Sequence, residues 1–314
     1  MRTELCRRIT TTATPAQLWD VYVPSWGRAG AAPVLERLRD HPVAPKVHVM
    51  TRPGESARLY ARTYPRYDVL EDPGLGIGPA RLACLDDALR RGLPRIVMMD
   101  DDITRLSLVE DVTEEDGSTS PRRYPARADG FDDTPAFIAA LAAGCLAAGR
   151  LMDRDRAIVY GALRKARFAR HERPDLAATI GSGAFPACVT FWDVARCLRY
   201  QIGVPACFHH RGEDLALFLD ALVKGAKAFT IRGIAYDQDE GIETTIPPDA
   251  ADGRGRASDL ENARRCWPML APYLKAAGRH GNRGGVAIGL RWRRLHQALG
   301  TAPEEFTAGD LFGD

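Results

Sequence analysis

The chain is short of the features by which a sequence announces a compartment or a scaffold. It has no Cys-x-x-Cys pair, and its seven cysteines (Cys6, Cys84, Cys145, Cys188, Cys197, Cys207 and Cys266) are odd in number and scattered over 314 residues. A disulfide framework or a zinc knuckle needs closer pairing, so reduced and mostly buried thiols are expected. No apolar run approaches the length that spans a bilayer. The opening Met1-Arg2-Thr3-Glu4-Leu5-Cys6-Arg7-Arg8 leads through Ile9 to a polar Thr10-Thr11-Thr12 run, not to the apolar stretch of a signal peptide. The expectation is a cytoplasmic protein without a membrane segment or an obligate protein partner. No repeat of fixed period is visible. Charge is not in excess either: a net +2 argues by itself for no particular partner. Lysine is scarce, confined to Lys46, Lys165, Lys224, Lys227 and Lys275, so nearly all basic residues are arginine. Arginine forks suit phosphate recognition, but a GC-rich genome produces the same bias. What is left is an ordinary globular composition, 45% hydrophobic and 27% charged, long enough for one large domain with a sizeable core.

Within it one stretch stands out, Arg95-Ile96-Val97-Met98-Met99-Asp100-Asp101-Asp102-Ile103. A short apolar run after Pro94 reads as a buried strand, and it ends in three consecutive carboxylates. Like charges at a strand end repel and lose solvent, so a cation must offset them or their pKa values must rise. Magnesium or manganese suits oxygen ligands and binds through one or two carboxylates plus substrate phosphates. Asp100 and Asp102 share one side of an extended chain while Asp101 points away. A solvated acidic turn is the plain alternative.

The preceding residues supply a context. Asp20 to Pro24 reads as a strand, followed by the turn Ser25-Trp26-Gly27-Arg28-Ala29-Gly30 and a helix that opens at Pro33. Lys46 to Met50 is a second strand, Glu55 to Tyr64 a second helix and Tyr67 to Leu70 a third strand ending in Glu71-Asp72. A loop with Gly74, Gly76 and Gly78 then leads into a helix from Ala80 to Arg91. Such alternation is the pattern of βαβ units in a parallel sheet, whose ligands bind beyond the carboxyl ends of the strands. That rule puts Ser25 to Arg28, Glu71 to Arg81 and Asp100 to Asp102 on one rim, where the glycine loop could offer amides to a phosphate and Arg81 a charge.

Further on, residues 111–135 show no period and read as a long loop, a lid or a disordered insertion. Thr134 to Met152 reads as an alanine-rich helix, Ala157 to Tyr160 as a strand, 164–175 as a basic segment, and Thr179 to Phe191 as a glycine turn with a β-rich run. Asp193 caps a short helix to Tyr200; Glu213-Asp214 opens an amphipathic helix through Leu222, where acids complement the helix dipole. His209 and His210 read as packing or capping residues. Ala228 to Tyr236 is a strand ending in Asp237-Gln238-Asp239-Glu240, residues 241–257 read as mobile, Ser258 to Lys275 as a helix, and 290–299 as a final helix.

Four features in this order resemble the GT-A glycosyltransferases over residues 20–275: Pro24-Ser25-x-x-Arg28, the glycine loop with Arg81, Asp100-x-Asp102 and Glu213-Asp214. The wording of these segments is most similar to the phage-associated DNA glycosyltransferases that occur beside TET-like hydroxylases and act on 5-hydroxymethylpyrimidines. The resemblance implies an α/β fold of GT-A type, a Rossmann-like mixed and mostly parallel sheet flanked by helices. Its divisions would be a segment 1–19, a single large domain 20–275 with a nucleotide-binding half 20–103 and a sugar and acceptor half 104–275, and an extension 276–314. It implies a UDP-sugar whose base and ribose lie near Pro24, Ser25, Arg28 and Glu71 or Asp72, with Asp101 on the same donor side. Asp102 would hold Mn²⁺ or Mg²⁺ against the diphosphate, Asp100 would contact ribose or a metal-bound water, and Asp237, Asp239 or His280 would be a further ligand. Arg81 would add a fixed cation and Gly181-Ser182-Gly183 would line the sugar pocket. Asp214, beside Glu213, would be the general base of an inverting transfer, or bind acceptor or sugar in a retaining one. The implied acceptor is hydroxymethylated DNA, its base turned out of the duplex and its phosphates met by arginines around 164–170 and 279–293. A protein, polysaccharide or lipid-linked acceptor and a sugar nucleotidyltransferase are the alternatives.

Overall fold

Strand and helix alternate through the first hundred residues of the computed structural model, which describes residues 15–39, 41–113, 117, 119–124, 134–166, 176–181, 187–210, 212–239, 254–280 and 285–312. The elements are β1 (Asp20–Pro24), α1 (Pro33–Arg39), β2 (Val47–Thr51), α2 (Glu55–Thr63), β3 (Asp68–Glu71), α3 (Ile77–Arg90) and β4 (Arg95–Met99). There follow β5 (Ile103–Thr113), β6 (Thr119–Tyr124), α4 (Thr134–Arg154), β7 (Ile158–Lys165), β8 (Leu176–Ile180), β9 (Val189–Asp193) and α5 (Val194–Arg199). The chain continues through α6 (Glu213–Val223), β10 (Lys227–Gln238), α7 (Arg254–Cys266), β11 (Leu274–His280), β12 (Gly285–Leu290), α8 (Trp292–Leu299), β13 (Glu304–Thr307) and α9 (Ala308–Phe312).

An 11-stranded sheet runs in the order β13-β8-β10-β7-β9-β4-β1-β2-β3, with β5 paired to β10 and β6 to β5. β3, β2, β1 and β4 are mutually parallel. β9 is antiparallel to both β4 and β7, and β7 is parallel to β10. Only β5, β8 and β9 run against the rest, so the sheet is mixed and mostly parallel, as expected. Helices cover both faces, and the strands sort their side chains between two cores. Val21, Val23, Val97 and Met99 pack with α1 and α4 in one, Tyr22, Ile96 and Met98 with α3, α5 and α6 in the other. That division is the period of two read through a strand buried on both sides. Strand order reverses between β1 and β4, and the crevice at such a switch point is where open α/β sheets bind ligands.

The second half departs from expectation in several places. Of the loop expected at 111–135, residues 111–113 and 119–124 are strand, paired antiparallel as the end of β5 and the whole of β6; the carboxylates and Pro121 hid this in the sequence. The rest of the presumed lid, 114–116, 118 and 125–133, lies outside the described residues, as do 167–175 and 240–253. The helix expected to reach Lys275 stops at Cys266, because Pro268 cannot continue it and pushes Trp267 out of helical geometry; a 3₁₀ segment and β11 follow. Residues 276–314 supply β12, α8 and β13, and β13 pairs with β8 at the edge of the main sheet. By length and mean hydropathy (1.6) α4 could cross a membrane, contrary to the expectation that nothing could, but 72% of that stretch is buried inside the fold.

β7 and β10 pack closely at one point. Gly161 lies opposite Phe229, and a Cβ at Gly161 would stand 2.3 Å from the Phe229 ring, itself buried. Gly161→Ala is therefore expected to lower stability by about 1–3 kcal/mol, as overpacking does. Urea unfolding would show it as a lower midpoint with unchanged slope.

Candidate functional site

The crevice at the carboxyl ends of β1 and β4 holds most of the residues singled out in the sequence. Pro24 closes β1, and the Ser25 amide still bonds the Met50 carbonyl on β2 at 2.9 Å. Ser25 Oγ donates to Asp101 Oδ2 at 2.6 Å, and the Arg28 guanidinium pairs with the other oxygen of the same carboxylate. The Tyr60 hydroxyl, delivered by α2, lies 2.6 Å from Ser25 Oγ and accepts the Arg28 amide at 3.0 Å. Asp101 thus turns away from its neighbours and braces the β1 loop. Ser25 and Arg28, expected beside base and ribose, are both engaged by it.

Next along the rim, Asp72 is buried and accepts from the Trp26 indole and the Gly74 amide, while exposed Glu71 accepts the Gly54 amide at 3.0 Å. Arg52 stacks over the outer face of Trp26, 4.5 Å from the ring centre. The glycine loop does something other than cradle a phosphate with its helix-end amide. The Gly78 amide bonds the His209 carbonyl at 2.9 Å, and a Cβ at Gly76, whose φ is +117°, would come within 2.4 Å of that carbonyl oxygen. Glycine is needed there so that the segment before α6 can lie directly on the start of α3.

That approach brings the acids together around Arg81. Its buried guanidinium reaches Asp100 Oδ1 at 2.7 Å, Asp214 Oδ1 at 3.4 Å and Glu213 Oε1 at 3.3 Å. Arg81, expected to face a diphosphate, is committed to three carboxylates. Asp102 Oδ2 accepts from Gln238 Nε2 at 2.7 Å, Gln238 Oε1 accepts from Lys165 Nζ at 2.9 Å, and the Asp239 amide bonds the Asp102 carbonyl at 2.9 Å. Asp102 Oδ1 is buried without a hydrogen-bond partner, as is Arg81 Nη1. Asp101 thus pairs with Arg28, while Asp100, Glu213 and Asp214 share Arg81. Burial, then the Asp100 charge, pushes Asp102 up to about 6. Burial also raises Asp101, and it raises Asp214 well above the usual carboxylate range although Arg81 opposes it.

The residues not foreseen are Tyr60, Trp26, Gln238, Lys165 and Cys188. Cys188 has φ +62°, rare for a residue with a side chain, and its carbonyl accepts the Asp100 amide at 2.8 Å. Of the further ligands considered, Asp237 pairs with Arg105 in the strand register, Asp239 contributes its amide, and His280 ends β11 with its side chain outside the described residues. Among the described residues no three His, Cys, Asp or Glu gather in a metal-holding arrangement. The bare Oδ1 of Asp102 beside Asp100 still fits an ion that takes its other ligands from phosphate and water. Gly181 is not brought to this rim. Its amide bonds Ala228 at the start of β10, and its carbonyl lies 2.6 Å from His296 Nε2, beside an apolar cavity of about 730 Å³. Ser182 and Gly183 lie outside the described residues.

Because the folded state holds the Asp102 proton more tightly than an unfolded chain, stability falls as pH rises from about 4 through 6 and stays lower above. Asp102→Asn removes that penalty. It is expected to be more stable than the parent at pH 7.5 by up to about 3 kcal/mol, and equal to it near pH 4. Thermal unfolding at the two pH values checks this; a variant less stable at pH 7.5 would refute it.

A search of curated sequences finds no match. Solved structures with similar backbones include glucosyl-3-phosphoglycerate synthase from Mycobacterium tuberculosis in complex with Mn²⁺, uridine diphosphate and phosphoglyceric acid, at 11% identity, TM-score 0.43, covering 90% of each chain. A cytidylyltransferase from Leptospira borgpetersenii matches at 11% identity and TM-score 0.39, over 80% of this chain and 96% of that one. Mannose-1-phosphate geranyltransferase from Thermus thermophilus matches at 14% and 0.37, over 78% of each. These likenesses are too slight to transfer chemistry. The sequence itself is more informative: residues 19–150, which carry β1 to β4 and the acids Asp100, Asp101 and Asp102, match the family described as TET-Associated Glycosyltransferase.

Proposed function

We propose that the enzyme transfers a sugar from a UDP-sugar, with Mn²⁺ or Mg²⁺, to the hydroxyl of 5-hydroxymethylcytosine or 5-hydroxymethyluracil in DNA. The observation that carries the reading is the meeting of Asp100 with Glu213 and Asp214 around Arg81, with the bare oxygen of Asp102 two residues on, in the crevice where β1 and β4 diverge. The divalent ion would neutralise charge developing on the departing diphosphate. Asp102 Oδ1 and Asp100 are the residues to hold it, and the Trp26 and Arg52 stack with Asp72 is the surface for the base.

Asp214 takes the proton of the acceptor hydroxyl as that oxygen attacks the anomeric carbon and the bond to the diphosphate breaks, which inverts the centre. Its raised pKa suits the role, since a general base works best with a pKa near the working pH. The DNA acceptor is supported by the TET-associated family matched at residues 19–150 and would require the base to leave the stack. Arg164, at the end of β7 on the same rim, is a basic residue that DNA phosphates could meet; the arginines of α8 lie with Gly181 at the other end of β10. Free thiols at all six described cysteines accord with a cytoplasmic setting.

The protein would be incubated with Mn²⁺, a panel of UDP-sugars and DNA containing either hydroxymethylpyrimidine, and the nucleosides weighed after digestion. A hexose mass on the modified nucleoside is expected, abolished by EDTA. No added mass with any donor would overturn the acceptor, and pyrophosphate release from a sugar phosphate and a nucleoside triphosphate would favour nucleotidyl transfer instead. Asp214→Asn is expected to cut kcat by about 10²- to 10⁴-fold with UDP binding retained. In the parent, kcat/KM rises with pH to a midpoint above the ordinary carboxylate range, because the base must lose its proton.

A further inference from the structure

Two cations of the site are already committed, Arg28 to Asp101 and Arg81 to Asp100, Glu213 and Asp214. A third arrives from the end of β7. Tyr236 of β10 stands opposite Lys165 in the parallel pairing, and two residues later Gln238 stands opposite Ile103 in the antiparallel pairing with β5. Lys165, Gln238 and Asp102 therefore meet where three strands end. The contacts form a chain, Lys165 Nζ to Gln238 Oε1 at 2.9 Å and Gln238 Nε2 to Asp102 Oδ2 at 2.7 Å.

Residue types fix the sense of this chain. An ammonium only donates, so the amide oxygen of Gln238 must face Lys165 and its NH₂ must face Asp102. One oxygen of Asp102 is then occupied by a neutral donor, and the other is buried without a partner. A glutamate at 238 would add charge to a cluster already rich in it, and an apolar residue would leave both oxygens bare.

We propose that Gln238 is a positioning residue that presents Asp102 to a divalent cation through Oδ1 alone, its amide held in that sense by Lys165. The inference rests on the reading above that this rim takes a nucleotide diphosphate with a divalent ion. Attachment through one oxygen leaves most of an octahedral shell for phosphate oxygens and water, the arrangement magnesium and manganese favour. Outer partners that orient a ligating carboxylate matter to affinity about as much as tenfold or more.

The experiment measures Mn²⁺ binding without donor, then UDP binding at saturating Mn²⁺, by calorimetry on the full chain. Gln238→Leu is expected to weaken Mn²⁺ alone by about tenfold or more. Lys165→Met, which releases the amide oxygen of Gln238, is expected to weaken Mn²⁺ by about threefold or more, less than loss of the amide itself, and Lys165→Arg to restore it. Thermal unfolding identifies folded variants, and Gln238→Asn, too short to span the gap, replaces the leucine variant if that one does not fold. Parent-like Mn²⁺ affinity in the Gln238 variants overturns the positioning role, and parent-like Mn²⁺ affinity in Lys165→Met overturns the lock on its amide. A parent that binds neither Mn²⁺ nor UDP overturns the reading of the rim itself.

Discussion

The buried guanidinium of Arg81 is the interaction on which the rest of the site depends. An arginine taken out of water is tolerated only when paired, and this one is held by carboxylates from β4 and from the first turn of α6 while its own backbone belongs to α3. Three elements far apart in sequence are thereby pinned at one point. The pairing is not neutral: one positive charge faces three carboxylates, and Asp102 stands just beyond. Such an arrangement is stable as built only with protons on some of the acids or a further cation among them, which is why burial and mutual repulsion lift Asp102 and Asp214 together.

Backbone geometry on both flanks keeps that cluster narrow. On one side the glycines of the loop before α3 admit the His209 carbonyl to the Gly78 amide, and Gly212, in the left-handed region, turns the chain into α6 so that Glu213 and Asp214 open it. Their position at a helix N-terminus favours the charged form, partly offsetting what burial does. On the other side Cys188 accepts a strained φ in order to place its carbonyl under the Asp100 amide. Non-glycine residues held there cost of order 1–3 kcal/mol, and they persist where surrounding structure over-determines them. The carboxylates thus sit on strand and helix ends gripped from both sides, the rigid footing a site needs if reacting groups are to keep their geometry.

How much of this could be read in advance follows from the range of each interaction. The period of two in β1 and β4 and the proline-led start of α1 are local, and they gave the alternation, the rim and the opposed directions of Asp101 and its neighbours. The partners of those residues are not local. Arg81 meets Glu213 across 132 positions and Asp102 meets Gln238 across 136, and no pattern along the chain pairs them. Tyr60 looks like any helix aromatic until α2 docks. The glycine loop shows a different ambiguity, since the same composition serves an anion cradle or a close backbone crossing, and only the position of His209 decides. The resemblance implies a sugar-pocket place for Gly181, but the antiparallel return of β8 carries it to the opposite end of β10.

Asp100 links the two chemical tasks of the rim. Its charge raises Asp102 on one side and Asp214 on the other, and its side chain shares the Arg81 guanidinium with Asp214. A divalent ion held between Asp100 and Asp102 would act on both neighbours in the opposite sense, weakening the repulsion that adds to burial in raising Asp214. In a buried cluster such coupling is only lightly screened by salt, so it is set by structure and not by the medium. On the proposed mechanism, Asp214 would then lose its proton most readily when the cation and the diphosphate it accompanies are in place. Donor binding and readiness of the base would be joined through a single carboxylate, with Arg81 keeping the distances short enough for the effect to matter.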